Sequence, residues 1–223
     1  VRNPRNRIVN PTMAISQEHG FIDWLLPSDT TLYISDQYDT RTTGTSGAVI
    51  ERSYQTLEGQ NSLRLTATTA ATSLAAQQVG RIHTDIEKAN VNDLDGGDVV
   101  VAFKCRTNWT GKLAVALRNG DETKTYVTDV DVASGVNQIA VVVPFEVDTV
   151  ASQPDGNRAG VQLYVGYNNE GSDQRLVANN NTWQTGFSAC STESTMWTKT
   201  INNFVEITNV DLYAGNVPRE FQP

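Results

Sequence analysis

The sequence predicts an all-β protein, a β-sandwich of the jelly-roll type, and three observations carry that prediction. Apolar and polar side chains alternate with period two in several segments, turn-forming clusters separate those segments, and no stretch sustains helical periodicity. A doubly wound α/β fold would need helices between parallel strands, and this spacing leaves no room for them.

In chain order, Leu63, Leu65 and Ala67 oppose Arg64, Thr66 and Thr68, as in a strand with one face on a core. Asp85 to Leu94, with Ile86, Ala89 and Val91 at weak helical spacing, is the one helical turn expected. Val99 to Phe103, Ile139 to Phe145 and Val161 to Tyr167 are richer in apolar residues, which predicts central strands in the middle of the sandwich, covered on both faces. Leu113, Val115 and Leu117 oppose Lys112 and Arg118. Asp95-Gly96-Gly97-Asp98, Asn119-Gly120, Ser134-Gly135 and Pro154-Asp155-Gly156-Asn157 supply turn chemistry, with Asn119-Gly120 the strongest hairpin signal. Glu170 to Thr200 is polar and weakly periodic and reads as long surface loops, where binding residues commonly sit. At the C-terminus Val210 and Leu212 share one face and Asn209, Asp211 and Tyr213 the other, before Gly215 and Pro218 end a closing strand.

A chain of 223 residues is expected to form one domain over 1–223, with a short lead of about residues 1–6. No apolar run approaches the roughly 18 to 20 residues that cross a bilayer, so membrane insertion is not expected. The basic stretch Val1 to Arg7 lacks the apolar segment of a secretory signal. A net charge of −8, from 17 basic against 25 acidic side chains, opposes nucleic-acid phosphates and argues against such a partner. Cys105 and Cys190 are too few for a disulfide framework, and Cys105 shares the parity of Phe103 and Val101, which predicts a buried reduced thiol.

The opening Asn6-Arg7-Ile8-Val9-Asn10-Pro11-Thr12-Met13-Ala14-Ile15-Ser16-Gln17 resembles the start of a jelly-roll domain of bacteriophage tail fibre and other virion proteins, with Pro11 in place of the usual Gly. Ile86-Glu87 to Leu94, Gly97 to Arg106 with Gly111, and Phe204 to Phe221 are similar to that family's middle and end. The family also looks like the carbohydrate-binding modules of glycoside hydrolases. The resemblance therefore implies two antiparallel sheets, N- and C-terminal strands side by side, a place in the virion, and a homo-oligomer, trimeric by analogy. The matched positions are scaffold and carry over no functional residue. Phe21-Ile22-Asp23-Trp24 departs from the usual aromatic segment, and Trp24 is expected in the core.

Catalysis needs a poised acid, base or nucleophile, and the chain has only His19 and His83, no nucleophile elbow and no zinc spacing, so an enzyme is not expected. Asp129 with Asp131, and Asp93, Asp95 and Asp98, have the residue types of a glycosidase pair but read more simply as solvated positions. No cofactor is required. Calcium is the ion best suited to such loops, and similar jelly rolls clip their terminal strands with it, a role Asp211 is placed to take.

Sugar rings stack on Trp or Tyr while amides and carboxylates satisfy their hydroxyls. Trp183 and Trp197, flanking a polar interval with Gln184, are the first candidates, followed by Trp109, and by Tyr167 beside Asn169. Core or subunit packing competes for every one of these rings. The leading functional expectation is a tail-fibre or receptor-binding adhesin contacting host surface carbohydrate, its affinity multiplied by avidity. A capsid decoration or fibre protein that mainly contacts other virion proteins is the alternative, and a carbohydrate-binding module of a hydrolase comes third.

Overall fold

Two antiparallel sheets face one another across a shared core. The computed structural model describes residues 5–17, 24–26, 30–43, 50–70, 79–146, 149–150, 159–167, 176–177 and 181–219. In chain order the strands are β1 (Trp24–Leu26), β2 (Thr30–Ser35), β3 (Tyr38–Thr43), β4 (Ile50–Leu57), β5 (Gln60–Ala67) and β6 (Val79–Glu87). A one-turn helix α1 (Lys88–Val91) and a 3-10 turn (Asn92–Leu94) follow. Then come β7 (Asp98–Thr107), β8 (Gly111–Asn119), β9 (Lys124–Val132), β10 (Gly135–Pro144), β11 (Ala159–Val165), β12 (Leu176–Val177), β13 (Trp183–Thr185), β14 (Cys190–Ser191) and β15 (Phe204–Ala214). One sheet runs β1-β4-β5-β15-β7-β10 and the other β13-β9-β8-β11-β6-β3-β2, while β12 and β14 form a small parallel pair. Among the described residues no helix is long and apolar enough to cross a membrane.

Period-two alternation builds the core. Val99, Val101, Phe103 and Cys105 of β7 and Ile207 and Leu212 of β15 meet Leu113, Val115 and Leu117 of β8 and Val161, Leu163 and Val165 of β11, all buried. Each such aliphatic side chain contributes about 1.5–3 kcal/mol of burial free energy. The closing strand β15 lies inside its sheet, between β5 and β7, and carries Val210 and Leu212 inward as its alternation predicts. Its ladder with β7 shifts between Thr208 and Asp211, where Asn209 takes a left-handed φ of 52°.

The N-terminal lead is tied to this strand. Arg7 N–H donates to the Leu212 carbonyl, Asn6 Nδ2 donates to the Val210 carbonyl, and Asn6 Oδ1 accepts from Leu212 N–H. The Arg7 guanidinium makes a two-pronged bond to Asp93, at 2.7 and 2.8 Å. Asn6 and Asn10, prominent in the opening motif, are thus structural: Asn10 bonds Ile15, Ser35 and the Asp36 carbonyl.

Three expectations are corrected in detail. Ile139 to Phe145 is not central, because β10 is an edge strand. Its inward residues Ile139, Val141 and Val143 are buried while Gln138, Ala140 and Pro144 are exposed, and its outward Val142 meets a local apolar patch of Val100, Ala102 and Tyr213. Pro144 cannot donate to a ladder, which an edge tolerates. Second, the Asn119-Gly120 hairpin forms with a four-residue loop: Asn119 Oδ1 accepts from the N–H groups of Thr123 and Lys124, and the left-handed residue is Glu122 (φ 61°). Third, β8 is buried on both faces, because residues 187–190 lie over Ala114 and Ala116. The expected turn at 154–157 and the side chain of Trp24 lie outside the described residues.

Candidate functional site

The seven-stranded sheet carries a row of cross-strand neighbours on its outer face. Tyr33 of β2 pairs with Asp39 of β3, Asp39 with His83 of β6, His83 with Tyr164 of β11, Tyr164 with Ala116 of β8, and Ala116 with Val127 of β9. Phe187, Ala189 and Cys190 cover the end of this row at β8 and β9. At the other end Tyr33 is 53% exposed, and a cleft of about 490 Å³ opens there. Gln17, Tyr33, Asp36, Gln37, Asp39 and Asp85 line it.

Local structure places each of these groups. Asp36 and Gln37 form the tight turn between β2 and β3, with Gln37 at φ 75°. Asp36 Oδ1 accepts the Gln17 N–H at 2.9 Å and Asp36 N–H donates to the Ile15 carbonyl, so the opening motif anchors this rim of the cleft. Asp39 is 6% exposed and His83 equally so. His83 Nδ1 is 2.7 Å from Asp39 Oδ2, and its Nε2 lies 3.2 Å from Asp85 Oδ1, off the line of a good hydrogen bond. The imidazole stacks on Tyr164 at 4.6 Å, and the Arg81 guanidinium sits over the same ring at 4.9 Å. Tyr164 OH donates to Gln162 Oε1.

The electrostatics follow from this packing. Burial disfavours the His83 imidazolium, but the hydrogen bond to Asp39 and the Asp85 carboxylate outweigh it and raise its pKa. Burial would raise Asp85, yet the contact with His83 lowers it on balance. Asp39 Oδ1 is buried and forms an ion pair with Arg81 NH2 at 3.6 Å, beyond hydrogen-bond distance. The cleft therefore presents acceptors, two amide side chains and one exposed aromatic ring.

No protein-family model and no curated protein matches the chain. Among solved structures, similarity extends to a Bacteroides thetaiotaomicron VPI-5482 protein assigned to sugar binding, at 12% identity and TM-score 0.49, covering 95% of this chain and 100% of that one. A CBM4 structure is similar at 12% identity and TM-score 0.44, covering 93% and 99%. The enzymatically active domain of tailspike protein 4 from bacteriophage CBA120 is similar at 12% identity and TM-score 0.42, covering 94% of this chain and 21% of that one. The β-sandwich assignment rests on the register of the chain's own two sheets.

The aromatic candidates read from sequence lie elsewhere and are not brought together. Trp197 is 1% exposed, with its indole N–H on the Gly166 carbonyl, and Trp109 is buried with its N–H on the Phe204 carbonyl. Tyr167 is buried beside Tyr164 and Phe187, because Gly166 at φ 69° swings it to the outer side of the sheet. These three rings are filled into the protein interior and offer no open face for stacking. Trp183 is half-buried against Tyr126 and Phe145, with its N–H on the Pro144 carbonyl; Gln184 follows it on β13, and Asn169 lies outside the described residues.

Asp129, Asp93 and Asp95 are engaged within the fold. Asp129 accepts hydrogen bonds from Ser191 and Ser194, stapling residues 191–194 to β9. Asp93 binds Arg7, and Asp95 accepts from Val150 N–H. Asp211 is half-buried and its pKa is raised by burial, against the pull of Arg219. Among the described residues no group of three His, Cys, Asp or Glu is gathered to hold a metal.

Proposed function

We propose that this chain recognises carbohydrate, in the acidic cleft between the β2–β3 turn and β6. The observation that carries the reading is the pairing of Tyr33, 53% exposed, with Asp36, Gln37, Asp39, Asp85 and Gln17 around one cleft. A pyranose has an apolar ring face and a rim of hydroxyls; an exposed tyrosine suits the first, while carboxylates and amides accept from and donate to the second. The site sits on paired strands and a tied-down turn, which holds the groups in place before a ligand arrives.

The setting we propose is a bacteriophage virion, within a tail fibre or receptor-binding protein displayed as a homo-oligomer, trimeric by analogy. Its support is the terminal sequence pattern. Weak single-site affinity is the rule for such shallow clefts, and repeated display compensates for it.

The test is a screen of the purified chain, displayed multivalently with and without calcium, against bacterial surface glycans, followed by Tyr33→Ala. Saturable binding that falls at least about tenfold in a folded Tyr33→Ala variant supports the reading, since loss of one aromatic contact is worth roughly 1.4 kcal/mol or more. Glycan binding unchanged by Tyr33→Ala would move the site elsewhere.

A further inference from the structure

We infer that the free edge of β10 pairs with β10 of a second copy of this chain, joining two six-stranded sheets across a two-fold axis at Ile139. β10 ends its sheet, runs ten residues, and pairs with β7 through ten consecutive partners without a bulge. Edge strands of monomeric proteins are guarded by charged side chains, prolines, bulges or brevity. Gly135 to Pro144 holds no charged residue, and its one proline is the last residue. The other edges of the two large sheets are shorter, three residues each in β1 and β13 and six in β2. Among the described residues β10 is therefore the longest open edge, and it carries none of the usual guards.

The direction of the backbone fixes the register. The Asp98 carbonyl accepts from Gly215 N–H, toward β15; Phe145 N–H donates to the Gly97 carbonyl; and the Pro144 carbonyl accepts from the Trp183 indole. Odd-numbered residues of β10 therefore turn their N–H and C=O toward β7, while Val136, Gln138, Ala140 and Val142 turn theirs to the open edge. Antiparallel self-pairing about Ile139 sets Val136 against Val142 and Gln138 against Ala140, so these four residues satisfy one another through about eight interchain hydrogen bonds. Pro144, which has no N–H, falls outside the paired stretch. On the outer face Val136, 46% exposed, gains Val142 as a cross-strand neighbour, which extends the apolar patch of Val100, Ala102 and Tyr213. Charge selects a second copy as the occupant. A net charge of −8 sets copies against each other, and β10 offers them a contact without like charges. Beside it, Arg106 and Lys104 flank Val136 and Gln138 and Asp98 flanks Pro144, so the two-fold turns the basic end of one β7 toward the acidic end of the other. A single edge about 30 Å long buries less than the roughly 1,200 Å² of a stable interface, which makes the dimer weak and concentration-dependent. The contact closes at two copies and is distinct from a three-fold one.

The experiment is sedimentation of the full chain between about 10 μM and about 1 mM, where a monomer–dimer equilibrium is expected. Amide exchange followed by NMR is expected to show Val136, Gln138, Ala140 and Val142 gaining protection as concentration rises, while Ile139 and Val141, bonded to β7, stay protected throughout. Gln138 and Ala140 are both exposed, so variants there, checked for folding by circular dichroism, test the register. Gln138→Lys with Ala140→Lys places like charges opposite each other twice and is expected to weaken the dimer at least about tenfold. Gln138→Lys with Ala140→Glu places opposite charges there instead and is expected to restore it. A wild-type chain that stays monomeric at the highest concentration, or forms a trimer without a dimer, would overturn the inference. So would a double-lysine variant that dimerises as the parent does, or a lysine–glutamate variant as monomeric as the double-lysine one. None of these outcomes bears on glycan binding in the cleft, which lies on the other sheet.

Discussion

His83 Nδ1 lies 2.7 Å from Asp39 Oδ2 across the β6–β3 ladder, and this bond fixes the floor of the cleft. The bond engages the edge of the imidazole, whose face stacks on Tyr164 at 4.6 Å. One polar pair thus joins the wall of the cleft to the packed centre of the sheet.

That pair has a pH signature. The folded pKa of His83 is raised, so its contribution to stability is complete below the ordinary imidazole range, about pH 6.5, and is lost as pH rises through the folded value. Asp85 behaves oppositely: its lowered pKa gives a contribution lost only on acidification through the carboxylate range. Urea unfolding is expected to show a midpoint that declines on the alkaline side of about pH 6.5. In His83→Gln this decline should flatten. A wild-type midpoint level across that range would contradict the assignment.

The opposite sheet holds a second polar feature, with a larger expected effect. Glu206 of β15 is fully buried on the outer face, and Arg64 of β5 and Arg106 of β7 both donate to its Oε2, at 2.8 and 2.7 Å through their NH2 groups, while Ser62 donates to Oε1. Removing the carboxylate leaves two guanidinium groups facing each other. These are partly exposed and recover some hydration, so Glu206→Ala is expected to cost about 3 kcal/mol, the lower end for breaking a buried pair. Glu206→Gln should cost less, about 1–2 kcal/mol, because its amide still accepts. Both are read from urea midpoints at constant slope.

Local patterns made the scaffold legible, while the cleft depends on pairing between distant strands. Alternation at Val210 and Leu212 and the parity of Cys105 with Phe103 are properties of single strands, and both hold. Asp39 and His83 are 44 residues apart and meet only through the β3–β6 register, which no local spacing encodes. Tyr33 lies in the short run Leu32-Tyr33-Ile34, and Asp36 and Gln37 in the turn after it; no spacing within that run tells that they share a cleft with Asp85 of β6. The tryptophans misled for a different reason: the same ring suits a sugar platform and a core plug, and the indole N–H bonds of Trp197 and Trp109 to backbone carbonyls decided for the interior.

Trp197 therefore serves as a stability probe. It is 1% exposed and packs in the main core, so Trp197→Ala is expected to destabilise by about 3–5 kcal/mol. Tyr33→Ala, at an exposed ring, should shift stability by less than about 0.5 kcal/mol. Thermal melts followed by circular dichroism separate the two. A Trp197→Ala protein as stable as its parent would show that the ring is not a core element.

The two thiols test how the covering segment is attached. Cys105 lies in the main core and Cys190 under the outer layer, both fully buried and without a disulfide. Burial pushes the Cys105 thiol up to about 12, so almost no reactive thiolate exists near neutral pH, and labelling must wait for opening. Cys190 belongs to a segment held by the three residues of β13, the two of β14 and the serine bonds to Asp129, whereas Cys105 sits on a ten-residue strand paired on both sides. Short ladders open at lower free energy than central ones. Mass spectrometry of alkylation under native conditions is therefore expected to find Cys190 labelled well ahead of Cys105, and both labelled at once in denaturant. Equal native rates would mean that the covering segment detaches only when the whole sandwich unfolds.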